Sequence, residues 1–163
     1  MPDILATMYT FTTYGTWLRG DERGWVEDGI PWPPNPFIEE NDRRRMKHEP
    51  FLFASSQLHD IGAFIGNSLR ERLGLRIAAM TVQVWHVHFI VGPTEHLPPA
   101  VAKCAKDAVR WGLRVARPIW TDGYDKRYCF NDEAALARME YVEKHNTVVG
   151  LPARPWDFIN PFA

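Results

Sequence analysis

The chain reads as an α+β domain: a ferredoxin-like (RRM-like) antiparallel sheet with helices on one side, followed by one more helix. Three observations predict it. Runs rich in β-branched and aromatic residues occur at 5–14, 75–82 and 86–91, with a further strand expected between 118 and 130. Segments with helical apolar spacing fall at 55–73, 98–116 and 132–146. The resulting order is β-α-β-β-α-β-α, whose first six elements form the split β-α-β pattern.

Each element has a local reason. Leu5 to Tyr14 is Thr- and aromatic-rich, and reads as the first strand. Gly15 to Phe53 is long, charged and rich in Gly and Pro, so an elaborated insertion is expected, centred on about residues 20–53. Its Pro31-Trp-Pro-Pro-Asn-Pro36 run excludes regular helix and central strand there. Ser55 or Ser56 is expected to cap a helix that buries Leu58, Ile61, Ile65 and Leu69, and Gly74 to close it. Leu75–Val82 and His86–Val91 follow as strands, joined through Gln83–Trp85 and stopped by Gly92-Pro93. Pro98-Pro99 opens a helix running to about Ala116. Asn131 caps the last helix, with Asp132 and Glu133 at its positive end, and Gly150, Pro152 and Pro155 mark an irregular tail.

The bulk numbers narrow the function classes. With 163 residues, 45% hydrophobic and 24% charged, one domain with a sizeable core is expected over 1–163. No apolar run approaches the ~20 residues of a membrane helix. The start Met1-Pro-Asp-Ile-Leu-Ala lacks a basic leader and a long apolar stretch. Cys104 and Cys129 form no close pair, so a reduced, cytoplasmic protein is expected. A net charge of −1 argues mildly against nucleic acid, but the charges are unevenly placed.

Two patterns carry chemistry. In the strand His86-Val87-His88, alternate side chains share a face, so both imidazoles point the same way, about 7 Å apart along the strand. Such a pair can grip one divalent ion. In the last helix, Ala135, Met139 and Val142, flanked by Leu136, form the apolar stripe. Tyr141 lies well off that stripe, and His145 sits one turn above it on the same side. A third pattern concerns charge. Lys103, Lys106, Arg110, Arg114 and Arg117 fall in a narrow sector of the 98–116 helix, opposite Val101, Cys104, Ala105, Ala108 and Val115. A basic stripe opposite an apolar face suits phosphate contact. Arg43–Arg45 with Lys47 is a second basic run, but Glu39, Glu40 and Asp42 adjoin it, as on a solvated surface. Trp25 and Trp32 can stack on unpaired bases or pack the insertion down.

Taken in order, several segments resemble the REP-associated tyrosine transposases, and more broadly the single-tyrosine HUH (His-hydrophobe-His) transposases. They are Tyr9 to Gly24, Met80-Thr-Val-Gln-Val-Trp-His-Val-His-Phe-Ile-Val91, Pro118-Ile-Trp-Thr-Asp-Gly-Tyr-Asp-Lys-Arg127, and Asn131 through Tyr141-Val-Glu-Lys-His-Asn to Leu151. The resemblance covers most of the chain outside the Pro-rich insertion. It implies that His86 and His88 are metal ligands, that Tyr141 is the nucleophile, and that His145, four residues on, is the third ligand. It also implies a divalent cofactor, manganese or magnesium, a single-stranded or hairpin DNA partner, and a monomer or homodimer.

Two positions depart from the family. Val84-Trp85 stands where Pro plus Asn or Asp is usual, and His145-Asn146 where Asn-Pro is usual. The implied reaction is cleavage and rejoining of single-stranded DNA through a 5′-phosphotyrosine. A free phenol titrates near roughly 10, so the metal must help. Two other readings stand beside it: a catalytically retired nucleic-acid-binding module of the same fold, and a metal-dependent phosphoesterase that uses water.

Overall fold

In a computed structural model describing residues 3–163, the predicted sheet is present with four antiparallel strands. The strands are β1 (Ala6–Thr12), β4 (Ile77–Val82), β5 (His86–Val91) and β6 (Asp125–Cys129), in the order β4-β5-β1-β6. Helices α2 (Leu58–Leu73) and α3 (Pro98–Leu113) cover one face. Helix α4 (Asp132–Thr147) covers part of the other. Strand period divides the core between these layers. Tyr9, Phe11, Val87, Phe89 and Val91 point to α2 and α3, where Ile61, Ile65, Leu69, Val101, Ala105 and Val109 meet them. Met8 and Ile90 point to α4, where Ala135, Met139 and Val142 are buried as the apolar spacing predicts. Leu136, expected to flank that stripe, is exposed.

Local chemistry accounts for most boundaries. Asn131 accepts the Ala134 N–H at 2.8 Å and starts α4. Gly74 adopts φ 64° and ends α2, where its N–H reaches Arg70 O. The expected serine cap of α2 is not observed: Ser55–Gln57 forms a 3-10 turn, and the α-helix begins at Leu58 without a side-chain cap. Helix α3 stops at Leu113, short of the expected Ala116, because Arg114 turns left-handed at φ 54°.

The insertion holds more order than its composition suggests. It forms a two-stranded ribbon, β2 (Trp25–Glu27) and β3 (Ile30–Trp32), and then helix α1 (Pro36–Arg45). Asp28 and Gly29, both at positive φ, make the tight turn of the ribbon. Asn35 caps α1, with Pro36 at its first position. Pro31 sits on a two-stranded ribbon, where a missing donor is tolerated.

The tail is irregular, as expected, but it is anchored. Trp156 donates to His59 O at 2.9 Å and Asn160 N to Ile77 O at 2.9 Å. Its rings lie directly on α2: a Cβ at Gly62 would overlap the Trp156 indole, and one at Gly66 the Phe158 ring. Two glycines four apart give one bare helix face on which the tail seats. Alanine at Gly62 would gain about 1 kcal/mol of helix propensity in isolation. The Gly62→Ala variant is nevertheless expected to be less stable, by about 1–3 kcal/mol from overpacking. Urea unfolding and the rate of proteolysis within the tail measure this. An unchanged or raised midpoint would show that the tail docks loosely.

Candidate active site

The site begins with β5, which is hydrogen-bonded on both edges. Its register sets His86 opposite Thr12 and His88 opposite Thr10 of β1, with Thr81 of β4 across from His88. Both imidazoles therefore emerge on the α4 side of the sheet. They are almost fully buried, His86 at 9% and His88 at 6% exposure. Helix α4 brings the remaining groups. Tyr141 and His145 stand one turn apart, with ring centroids 4.8 Å apart. The His145 ring lies 4.9 Å from His88 and 5.7 Å from His86, and Tyr141 lies 5.6 Å from His88. The four side chains singled out from the sequence thus converge, although they come from two elements.

The hydrogen bonds orient these rings. His145 Nδ1 lies 2.8 Å from the Tyr141 carbonyl, which can only accept, so Nδ1 carries the proton and Nε2 the lone pair. His88 Nδ1 is 2.8 Å from Thr10 Oγ1. With the hydroxyl accepting, His88 Nε2 likewise keeps its lone pair, a common second contact of metal-binding histidine. His86 Nδ1 is buried and has no hydrogen-bond partner. An unpaired buried polar atom costs stability, and a cation shared with the other two rings would satisfy the cluster.

The donor set fits a metal ion. One nitrogen from each of His86, His88 and His145 lies within 4.8 Å of the others. Burial, helped by the Arg23 charge and by His145 whenever that ring is protonated, pushes the His86 pKa down to about 4. Burial, with His86 and His145 as neighbours, pushes His88 down to about 3. Both are therefore neutral at pH 7, the state that donates to a metal.

The supporting layer is aromatic. Trp85 lies 4.1 Å from His86, Trp17 lies 5.8 Å from Trp85, and the Arg23 guanidinium sits 3.8 Å above Trp17. The sequence pattern missed this stack, because its members lie far apart along the chain. Gln83 bridges strand and helix, donating to Thr81 Oγ1 at 2.8 Å and to His145 O at 3.4 Å. Asn146 is fully buried and donates to Met80 O and Ala153 O, fastening the end of α4 to β4 and the tail.

The basic stripe divides. Lys103, Arg110 and Arg114 face solvent, with Asp107 paired to the first two. Lys106 turns inward and donates to Thr121 O at 3.0 Å and Gly123 O at 2.6 Å, and burial lowers its pKa. Arg117, beyond the helix, donates to Glu49 O and lies over Phe51. Two of the five cations thus hold loops. In the insertion, Arg43 and Arg44 pair with Glu39 and Glu40 along α1. Trp25 packs under Trp32 with ring centroids 5.9 Å apart, and Trp32 is half exposed. Among the described residues, no helix is long and apolar enough to cross a membrane.

No family model and no curated protein matches the chain. A solved structure of a REP-associated tyrosine transposase bound to a REP hairpin is similar in fold. The TM-score is 0.54 and the identity 12%, over 97% of this chain and 78% of that one.

The depressed histidines have a consequence for stability. As pH falls below the ordinary 6.5, the unfolded chain binds protons before the folded one does. Metal-free protein should therefore lose stability from about pH 6.5 down towards pH 3, and the His88→Gln variant should lose it less steeply. Urea midpoints across that range measure both, and parallel curves would place the titration elsewhere.

Proposed function

We propose that the chain cuts and rejoins single-stranded or hairpin DNA, with Tyr141 as nucleophile, as a metal-dependent tyrosine transposase. One observation supports this above the others. Tyr141 is 45% exposed, yet its ring packs against a cluster of three convergent imidazoles, two of them almost fully buried. Binding nucleic acid alone needs no such cluster beside an accessible phenol. The fold likeness to a hairpin-bound tyrosine transposase points the same way.

His86, His88 and His145 would hold the divalent ion. When bound, it supplies Lewis-acid polarisation of the phosphate and stabilises charge on the leaving oxygen. The chain's own residues do the rest. The Tyr141 phenol oxygen attacks the phosphorus and the bond to the 3′ oxygen breaks. The phenol proton leaves with that oxygen as a 3′-OH, and the 5′-phosphate remains on tyrosine. Rejoining reverses the step with another 3′-OH, so no external energy source is required. Helix α4 keeps the phenol in place through its buried stripe and through Asn146. Lys103, Arg110 and Arg114 are available to DNA backbone outside the site, whereas Lys106 and Arg117 would act by fixing the loops that frame it.

A hairpin oligonucleotide labelled at its 3′ end, incubated with the protein and manganese, tests the reading. The label should migrate with the protein on a denaturing gel. In the Tyr141→Phe variant the adduct should vanish while DNA binding stays, since only a hydroxyl is lost. Adducts that persist would move the nucleophile to Tyr124 or Tyr128, and hydrolysis without any adduct would favour a water-using phosphoesterase.

The three-imidazole set also predicts the metal. Magnesium prefers oxygen ligands, whereas imidazole suits later divalent ions. Manganese or cobalt should support more activity than magnesium. The His145→Gln variant should shift that preference towards magnesium and retain some activity. Unchanged metal affinity and preference in this variant would remove His145 from the ligand set.

A further inference from the structure

Helix α4 covers β4, β5 and the Ala6 and Cys129 ends of β1 and β6, and beside it the other half of the β1–β6 face, from Met8 to Thr12, is open. The open half is the floor of a groove of about 660 Å³, within the range of about 300–1,000 Å³ usual for ligand clefts. The register of β1 orders this floor. Met8 stands opposite Arg127, Thr10 opposite His88 and Asp125, and Thr12 opposite His86. From Met8 to Thr12 the groove runs about 13 Å at 3.3–3.4 Å per residue. Tyr141 forms the near wall, beside the His88 ring and so at the level of Thr10. The ribbon turn, Asp28-Gly29, with Trp17 and Val26, forms the far wall.

Resting on the DNA-cutting reading above, we propose that this groove holds one unpaired DNA strand across Tyr141. Arg127 and Arg138 grip its phosphate backbone on one side of the reacting phosphate. Arg138 lies on α4 three residues before Tyr141. Both guanidiniums line the groove. Among the described residues Arg138 has no carboxylate partner, whereas its neighbours Arg127 and Arg154 pair with Asp125 and Glu143. The Arg127–Asp125 pair is exposed at 3.3 Å, a kind that is weak and readily exchanged for a phosphate. The groove's acids are Asp28, Asp122 and Asp125. They sit at the ribbon and along the Thr10–Thr12 end, which gives the groove a direction. Backbone charge belongs at the Arg138 end, and bases belong against Trp17 and Val26. Trp17 in the lining offers a ring on which an unpaired base can stack, which favours one strand over a duplex. The α3 stripe lies beyond the 121–124 loop, on the far side of the groove rim.

The test separates binding from cutting. Tyr141→Phe protein, kept metal-free with chelator, is titrated with a fluorescein-labelled short oligothymidylate over a range of salt. Adding Arg127→Gln and Arg138→Gln should reduce the log–log salt slope by roughly 0.7 per lost contact. Arg138→Lys, which keeps the charge, should restore its share. An Arg70→Gln, Arg72→Gln pair on α2, which packs on the other face of the sheet, should leave the slope as it was. Thermal midpoints confirm that the exposed substitutions leave the fold intact. An unchanged slope for the Arg127 and Arg138 changes overturns the proposal, and so does equal affinity for the duplex form. If the wild-type protein still forms the tyrosine adduct, the DNA-cutting reading survives that failure. If it forms none, a flattened slope still establishes the groove as a binding site.

Discussion

Strand β5 has a hydrogen-bonded neighbour on each edge, and the site depends on that constraint. A strand held on both sides cannot slip by one residue without reversing every side chain it carries. Val87, Phe89 and Val91 are locked into the α2–α3 core, so His86 and His88 must face the other layer. Thr10, directly across the ladder from His88, is thereby delivered within hydrogen-bonding distance of its ring. The helix that completes the cluster is located by the same face, since Ile90 packs among Ala135, Met139 and Val142. One register thus sets both the histidine pair and the seat of the helix that brings Tyr141.

This explains which parts were legible in the sequence. The sheet strands showed in their β-branched and aromatic runs and α2 in its single buried face. Period two gave the His86–His88 pair and period 3.6 the Tyr141–His145 pair; only the family resemblance joined the two pairs. The insertion follows no such rule. Its strands are three residues long, too short to show alternation, and α1 buries no residue at all, so it has no apolar stripe. Its structure is set instead by turn and cap chemistry at Asp28-Gly29 and Asn35-Pro36. The basic stripe shows a different failure. Helical projection is valid only while the helix continues, and Arg114 ends it. Projection also cannot foresee that Lys106 bends inward to two loop carbonyls.

The insertion and the turn before His86 bear on one another. Val84 and Trp85 stand where the resembling family has Pro with Asn or Asp, residues that shape a turn by themselves. Here the turn is shaped from outside. Phe53 N donates to Val84 O and Thr13 N to Trp85 O, both at 2.8 Å. Gln83 N closes the loop on His86 O at 2.8 Å. The returning limb of the insertion is held in turn by Tyr14 O, which accepts from Phe51 N at 2.9 Å, and by Arg117. Local turn chemistry has been replaced by tertiary contacts, and Trp85 is freed to cover the outer side of His86.

The pairing of Tyr141 with His145 one turn apart has a mechanical meaning. The His145 ring donates to the carbonyl of Tyr141 itself, so the orientation of the imidazole and the backbone that carries the phenol are joined in a single helical turn. Around this turn, α4 is attached to the sheet by few polar links, chiefly Asn146 to Met80 O and Gln83 to His145 O. Its apolar stripe is narrow, three side chains on a largely alanine-lined surface. Such a seat fixes the helix axis better than its rotation. A contact that ties His145 to the strand-borne pair would fix the rotation, and with it the direction of the phenol. The three-histidine arrangement therefore serves position as much as charge: the side chain that completes the cluster also aims the Tyr141 phenol beside it.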